Sequence, residues 1–389
     1  MNRIRTSLCL IALPLAINGL AGCAALDGYF GSSQGRSANV APGVPLHERA
    51  ELEPISRNYF VLDTPDQSVV GEPQIVFTNA EDTFPDLARE YGLGFDELVA
   101  ANPGIDPWLP GEGTPILLPT QYVLPDVERS GVVLNIASKR LFYFLPAKDG
   151  ELLQVLTYPI GIGRVGWETP LGSTTVVSKA RDPHWYVPAS VREEHAAEGR
   201  PLPAVVPPGP DNPLGNRVLK LDMPGYLIHG TNQPYGVGMR VSHGCVRLYP
   251  ENIEHLYELV GVGETVTIVN EPYLAGWRHG ELYFESHRPL EDDPIPSDVR
   301  LHRVMSAIKT SSRSFDLEMA EAEAKTVAED GLGVPVRVLR RDIDEVFERA
   351  RVVRNTVEPD PNMPSLEEVR ALLDEPLENE SQPQPSAQE

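Results

Sequence analysis

Residues 131–144 read GVVLNIASKRLFYF. Two apolar runs, 132–136 and 141–144, flank the short polar turn Ser138-Lys139, the pattern of a β-hairpin. Further β-like runs lie at 152–158, 174–177, 218–221, 226–229 and 265–269, separated by Gly and Pro turns. Helical patterns interrupt them twice. Residues 190–198 form the first, followed by a proline-rich loop at 201–210. Residues 250–260 form the second, with Pro250 in the first turn and Gly261 at the stop. Its buried stripe is Ile253, Leu256, Tyr257 and Val260. Many strands and few helices predict a mostly β domain over 123–270, a sandwich or barrel-like sheet with helices. Composition agrees: 38 prolines among 389 residues is about twice the usual share and disfavours a long-helix bundle. The length suggests roughly two or three domains. A net charge of −23 excludes a general nucleic-acid binder, which needs a basic face.

The three cysteines make neither a disulfide framework nor a four-cysteine zinc site, so each is read by position. The chain begins MNRIRTSLCLIALPLAINGLAGC. Arg3 and Arg5 precede an apolar stretch at 8–17 that is too short to span a bilayer. Leu20-Ala21-Gly22-Cys23 resembles a bacterial lipobox. The resemblance implies a signal peptide over 1–22, with Cys9 inside it, and a lipidated Cys23. Ala24, rather than an aspartate, implies sorting to the outer membrane. Residues 23–70 read as the lipidated N-terminus and a tether, and 27–58 show no helical or strand period.

Residues 75–119 have their own organisation. A short apolar run at 75–77 precedes Glu81-Asp82-Thr83, a helix-start signal. Phe84, Leu87, Ala88 and Tyr91 follow at helical spacing, and Gly92 ends the run. A second short helix carries Phe95, Leu98 and Val99 and stops at Pro103-Gly104, before a closing strand. This small α+β unit resembles a LysM domain in Glu81-Asp82-Thr83, Tyr91-Gly92, Ala101-Asn102-Pro103 and Leu118-Pro119. The resemblance implies binding of peptidoglycan glycan.

The chemistry sits in IHGTNQPYGVGMRVSHGCVRLY, residues 228–249. Once Cys9 is removed and Cys23 lipidated, Cys245 has no disulfide partner in an oxidising compartment. His229 ends a predicted strand 16 residues upstream, and an imidazole that takes the thiol proton makes a nucleophile. Backbone N–H groups near Gly244 and Cys245 suit an oxyanion. Arg247 suits a substrate carboxylate. A metal site built from His229, His243 and Cys245 lacks a further Cys or clustered acid and is the poorer fit. His184, His195 and His255 read as surface or packing residues, and Asp222 has no assigned role.

The spacing of His229 from Ser242-His243-Gly244-Cys245, with Arg247 beyond it, is similar to the YkuD-type L,D-transpeptidase signature. Gly161-Ile162-Gly163, Thr169-Pro170-Leu171-Gly172 and Trp185-Tyr186 match as well. The likeness covers about residues 123–285, and the layout resembles the enterobacterial periplasmic subgroup. It implies that Cys245 attacks the carbonyl between the third residue and D-Ala of a peptidoglycan tetrapeptide stem, releasing D-Ala and leaving a thioester. His229 is then general base and acid, the Gly230 carbonyl orients its ring, and the Gly244 backbone serves the oxyanion hole. Arg247, Ser242 and His243 are grouped on the substrate side, Arg247 to pair with a substrate carboxylate, Ser242 and His243 to shape the loop and donate supporting hydrogen bonds. No cofactor or metal is implied. The acceptor is a neighbouring stem, giving 3→3 crosslinks, or the terminal lysine of an outer-membrane lipoprotein. Two rivals remain: a cysteine hydrolase cutting such links, and a non-catalytic glycan-binding lipoprotein.

Residues 271–290 predict a closing hairpin turning at His279-Gly280. Residues 291–375 predict a helical, acidic extension with a capping box at Ser365 and Glu368, and 376–389 a disordered tail. From residue 290 onward there are 23 acidic and 12 basic residues, a net of −11. Nearly half the charge therefore lies outside the catalytic region and says little about substrate. The extension reads as a solvated tail packed loosely on that region.

Overall fold

A computed structural model describes residues 45–55, 58–147, 150–311, 317–338 and 343–358. The stretch read as a signal peptide, Cys23, most of the stretch read as a tether, the Ser365 capping box and the stretch read as a disordered tail lie outside the described residues. Ahead of the middle module come β1 (Tyr59–Val61) and β2 (Val69–Gly71). The module proper contains β3 (Gln74–Phe77), α1 (Phe84–Glu90), α2 (Phe95–Ala101) and β4 (Pro115–Leu118). Thr83 caps α1 in a reciprocal box with Asp86, and Pro85 occupies the first turn, where its missing N–H costs nothing. Phe84, Leu87, Tyr91, Leu98, Ile116 and Leu118 close into one apolar core.

After β5 (Gln121–Val123) the catalytic region begins with β6 (Gly131–Asn135), β7 (Arg140–Phe144), β8 (Gln154–Pro159), β9 (Ile162–Gly163) and β10 (Gly172–Arg181). Next come β11 (Trp185–Tyr186), α3 (Ala189–Ala197), β12 (Val205–Val206), β13 (Arg217–Leu221) and β14 (Leu227–His229). It ends with β15 (Arg240–Ser242), β16 (Val246–Arg247), α4 (Pro250–Leu259) and β17 (Thr265–Val269). Nine strands form one mixed sheet in the order β1-β8-β7-β6-β17-β10-β13-β14-β16. The fold is thus mostly β, a curled sheet with a few helices. The 131–144 hairpin is its spine: Val133 faces Phe142 and Leu134 faces Leu141. Strand β10 is the bend. Its first half pairs with β17 and its second with β13, with a register shift between Val176 and Ser178. The core under this sheet joins Leu134, Leu141, Tyr158, Leu219, Ile228 and Val246 to Ile253 and Leu256 of α4.

The remaining chain forms β18 (Tyr273–Arg278), β19 (Glu281–Ser286), α5 (Ser297–Ser311), α6 (Leu317–Asp330), β20 (Val336–Arg337), α7 (Ile343–Arg349) and β21 (Arg351–Val353). Two expectations are corrected here. The 23–70 stretch is not all tether, since β1 joins β8 at the edge of the catalytic sheet and β2 pairs with β5. Strands of three residues are too short to show a period in sequence. The C-terminal extension is neither wholly helical nor loosely packed. β20 extends the β18–β19 hairpin, and β21 lies parallel to β3 as the third strand of the module sheet. Val336, Val346, Ala350 and Val352 pack with Ile75 and Leu117 in one buried cluster.

Candidate active site

Strands β14 and β16 run parallel with Ile228 opposite Val246 and His229 opposite Arg247. Paired residues on neighbouring strands share a face, and residues two apart on one strand share a face. His229, Arg247 and Cys245, just ahead of β16, therefore belong to one face at the carboxyl end of β14. This is how the sheet brings together residues separated in sequence.

His229 is 3% exposed, and its Nδ1 lies 2.6 Å from the Gly230 carbonyl. A carbonyl only accepts, so Nδ1 carries the proton and Nε2 is left as an acceptor. Burial holds the imidazole far below its ordinary range, down to about 3; the Arg247 charge adds to this and the Gly230 bond opposes it. Burial pushes the Cys245 thiol up, opposed by the Leu227 backbone and by Arg247. The resting pair at neutral pH is therefore thiol and neutral imidazole. Its Sγ donates a long bond, 3.6 Å, to the Gly225 carbonyl.

This pair predicts how Cys245 reacts with a simple alkylating agent. Because only thiolate reacts, iodoacetamide labelling of the Cys245 peptide should rise about tenfold per pH unit from about pH 6 to about pH 9. Peptide mass spectrometry reads the rate. A flat profile through neutral pH would reveal a thiolate–imidazolium pair and contradict this assignment.

The loop bearing Cys245 is held by two hydroxyls, one from the loop and one from outside it. Ser242 Oγ donates to the Cys245 carbonyl at 2.6 Å, and Thr169 Oγ1 donates to the Gly244 carbonyl at 2.9 Å. Gly244 has φ +97°, and a Cβ there would come within 2.9 Å of the Tyr226 ring. Only glycine combines that turn with that approach. Ser242 is 1% exposed, so it braces the motif from inside as a loop-shaping donor and does not itself face substrate. His243 also turns away from the thiol. Its Nε2 lies 2.9 Å from Glu194 Oε2 on α3 and 3.1 Å from the Arg164 guanidinium, and its ring meets the Trp167 edge. Arg164 pairs with the same Glu194 carboxylate and holds it below the usual carboxylate range, with His243 adding to the effect.

Arg247 is half-buried, and its buried Nε has no hydrogen-bond partner. Its main chain exchanges two bonds with Gly161, Arg247 N to Gly161 O at 2.9 Å and the reverse at 2.8 Å. His255 lies 2.7 Å from the Tyr158 hydroxyl, away from the site. Among the described residues, no group of three His, Cys, Asp or Glu side chains is placed to hold a metal ion. Sequence reasoning missed Thr169 as a brace and Glu194 as the partner of His243. Thr169 stood in a matched motif without a role, and Glu194 sits on a polar helix with no local signal.

Comparison with known proteins points the same way. The family model for the L,D-transpeptidase catalytic domain (YkuD) matches residues 129–268. The probable L,D-transpeptidase YcfS of Escherichia coli K12 is 38% identical over 300 residues, covering 75% of this chain and 91% of that protein. The probable L,D-transpeptidase YbiS of the same strain is 42% identical over 235 residues, covering 59% and 75%. The probable L,D-transpeptidase ErfK/SrfK of Salmonella typhimurium is 37% identical over 277 residues, covering 69% and 87%.

Proposed function

The chain belongs to the L,D-transpeptidase family, and we propose that it remodels peptidoglycan by acyl transfer through a Cys245 thioester. The observation that carries the reading is the shared face of His229 and Cys245, with His229 neutral and its Nε2 free of a proton. The Cys245 proton passes to Nε2 as sulfur attacks the carbonyl between the third stem residue and D-Ala. The oxyanion that forms is met by the Gly244–Cys245 backbone, whose two carbonyls are already tied back by Thr169 and Ser242. The C–N bond breaks, His229 returns the proton to the D-Ala amine, and the thioester remains. An acceptor amine then attacks the thioester, gives a proton to His229, and releases the thiolate, which regains that proton. Arg247, with an unsatisfied Nε beside the thiol, pairs with a stem carboxylate.

The acceptor is the amine of a neighbouring stem or the terminal lysine of an outer-membrane lipoprotein. The protein works in the periplasm, anchored by lipid at Cys23, and its LysM-like middle module holds the glycan.

The test incubates the protein and its Cys245→Ala variant with tetrapeptide muropeptides and reads products by mass spectrometry. Dimers with loss of D-Ala, absent from the variant, are expected. Adding a lysine-terminated lipoprotein peptide separates the two acceptors. Monomeric cleavage products alone would mean a hydrolase. No turnover of either kind would leave only the wall-binding reading.

A further inference from the structure

Fifteen residues separate His229 from Cys245, and the described chain there forms only a turn at Pro234–Gly236 and the three-residue β15. A segment of this kind keeps its shape through whatever packs behind it. Behind it stands the start of α2, from the middle module. The Phe95 N–H donates to the Val237 carbonyl at 3.2 Å. Gly94 and Gly238 meet backbone to backbone: a Cβ on Gly94 would lie 2.7 Å from the Gly238 Cα. Close by, the Tyr249 hydroxyl, four residues past Cys245, donates to the Leu93 carbonyl at 3.2 Å.

Beyond Gly238 the contacts continue to the thiol. The Met239 carbonyl accepts from Ile162 N at 3.0 Å, and the Ser242 carbonyl accepts from Arg164 N at 3.0 Å. Ser242 Oγ then holds the Cys245 carbonyl. At the other end, one carboxylate oxygen fixes the helix start to the catalytic sheet. Glu97 Oε2 accepts from Gly94 N at 3.0 Å and from the buried Arg140 of β7 at 2.6 Å.

We infer that Gly94 and Phe95 of the middle module are positioning residues for the reaction, setting the loop that presents Cys245 to His229. The inference rests on the thioester reading above. It makes the module a wall of the active site as well as a binding unit. A shift of about 1 Å between nucleophile and base costs on the order of 10²-fold in rate, so a small push at Gly94 reaches the chemistry without touching either catalytic side chain.

The test uses the full chain and four variants. Gly94→Ala drives a methyl into Gly238. Gly104→Ala is the control: Gly104 has φ +84° on the same module but open space around it, so it loads the module with strain away from the loop. Phe95→Pro deletes the N–H at the first helical position, where proline is tolerated, and Phe95→Ala loses the ring but keeps the N–H. Readouts are kcat and KM on tetrapeptide muropeptides, iodoacetamide labelling of Cys245, and thermal unfolding.

Gly94→Ala should lower kcat at least about tenfold with KM and thiol labelling close to wild type. Gly104→Ala should change kcat by less than about twofold. Phe95→Pro should fall below Phe95→Ala by a factor like that of Gly94→Ala, which keeps the comparison informative even where Gly94→Ala misfolds. The inference is overturned if Gly94→Ala turns over like Gly104→Ala and Phe95→Pro like Phe95→Ala, or if kcat simply follows the melting temperature across all four. An inactive wild type defeats the proposed function and this inference together. An active wild type with insensitive variants defeats only this one.

Discussion

Replacing His229 with Gln should lower kcat by roughly 10²- to 10⁴-fold, the usual worth of a positioned general base. Glutamine fills a similar space and can still meet the Gly230 carbonyl, but it cannot carry a proton between thiol and leaving amine. KM should move little, because the change removes an interaction made in the transition state. Rapid-quench measurement of thioester formation reads the step directly. Wild-type acylation in His229→Gln would transfer the base role elsewhere.

The same substitution has a second consequence in acid. The folded imidazole is held down to about 3 against an ordinary 6.5, so below 6.5 the unfolded chain binds a proton that the folded chain refuses. Stability is therefore lost as pH falls from about 6.5 to about 3, by up to about 5 kcal/mol from this one group. His229→Gln should lose correspondingly less stability over that window. Urea unfolding at several pH values measures the difference. Parallel curves for the two proteins would show that burial of His229 carries no such cost.

The second large effect lies at Arg140. Its side chain is 1% exposed and Glu97, 7% exposed, is its counterion at 2.6 Å. The guanidinium also donates to the Gly92 carbonyl and to Thr157 Oγ1, and it lies 4.1 Å over the Tyr122 ring. Glu97→Ala should cost about 3–5 kcal/mol, because it strands a buried charge. The double replacement Glu97→Leu with Arg140→Met should recover most of that, since both charges leave together. Guanidinium unfolding of the two variants decides it. A single-variant loss below about 1 kcal/mol would mean that water reaches Arg140 freely.

What was legible in the sequence depended on range. The 131–144 hairpin is local, and its alternation with a polar turn specified both strands. The relation between His229 and Cys245 was legible through motif spacing, although the parallel pairing of β14 and β16 that puts them on one face was not. Arg140 was invisible as a buried residue: within LFYF-flanked strand sequence an arginine reads as solvent-facing, and only Glu97, on another element, explains its burial. Glu194 escaped for a similar reason, since its partner His243 lies on a distant loop. The bend of β10 came from pairing with two different strands in turn, which no period within ten residues encodes. The three-residue strands β1, β2 and β21 were missed because the hydrophobic signal needs more length than they have.

Strand β21 sets a timetable for folding. The module sheet is complete only when Val352 lies beside Ile75 and Val353 beside Val76, and the Tyr91 hydroxyl then donates to the Arg354 carbonyl. A chain made from its N-terminus has β3, α1, α2 and β4 in hand long before β21 emerges. Until then one edge of the module sheet stays unpaired, and closing it carries the entropy of a loop of 277 residues, the separation of Ile75 from Val352. Chains cut short before residue 351 would keep their catalytic motif yet hold an open, sticky strand edge. Aggregation or rapid proteolysis, rather than loss of chemistry, is what such truncation would produce.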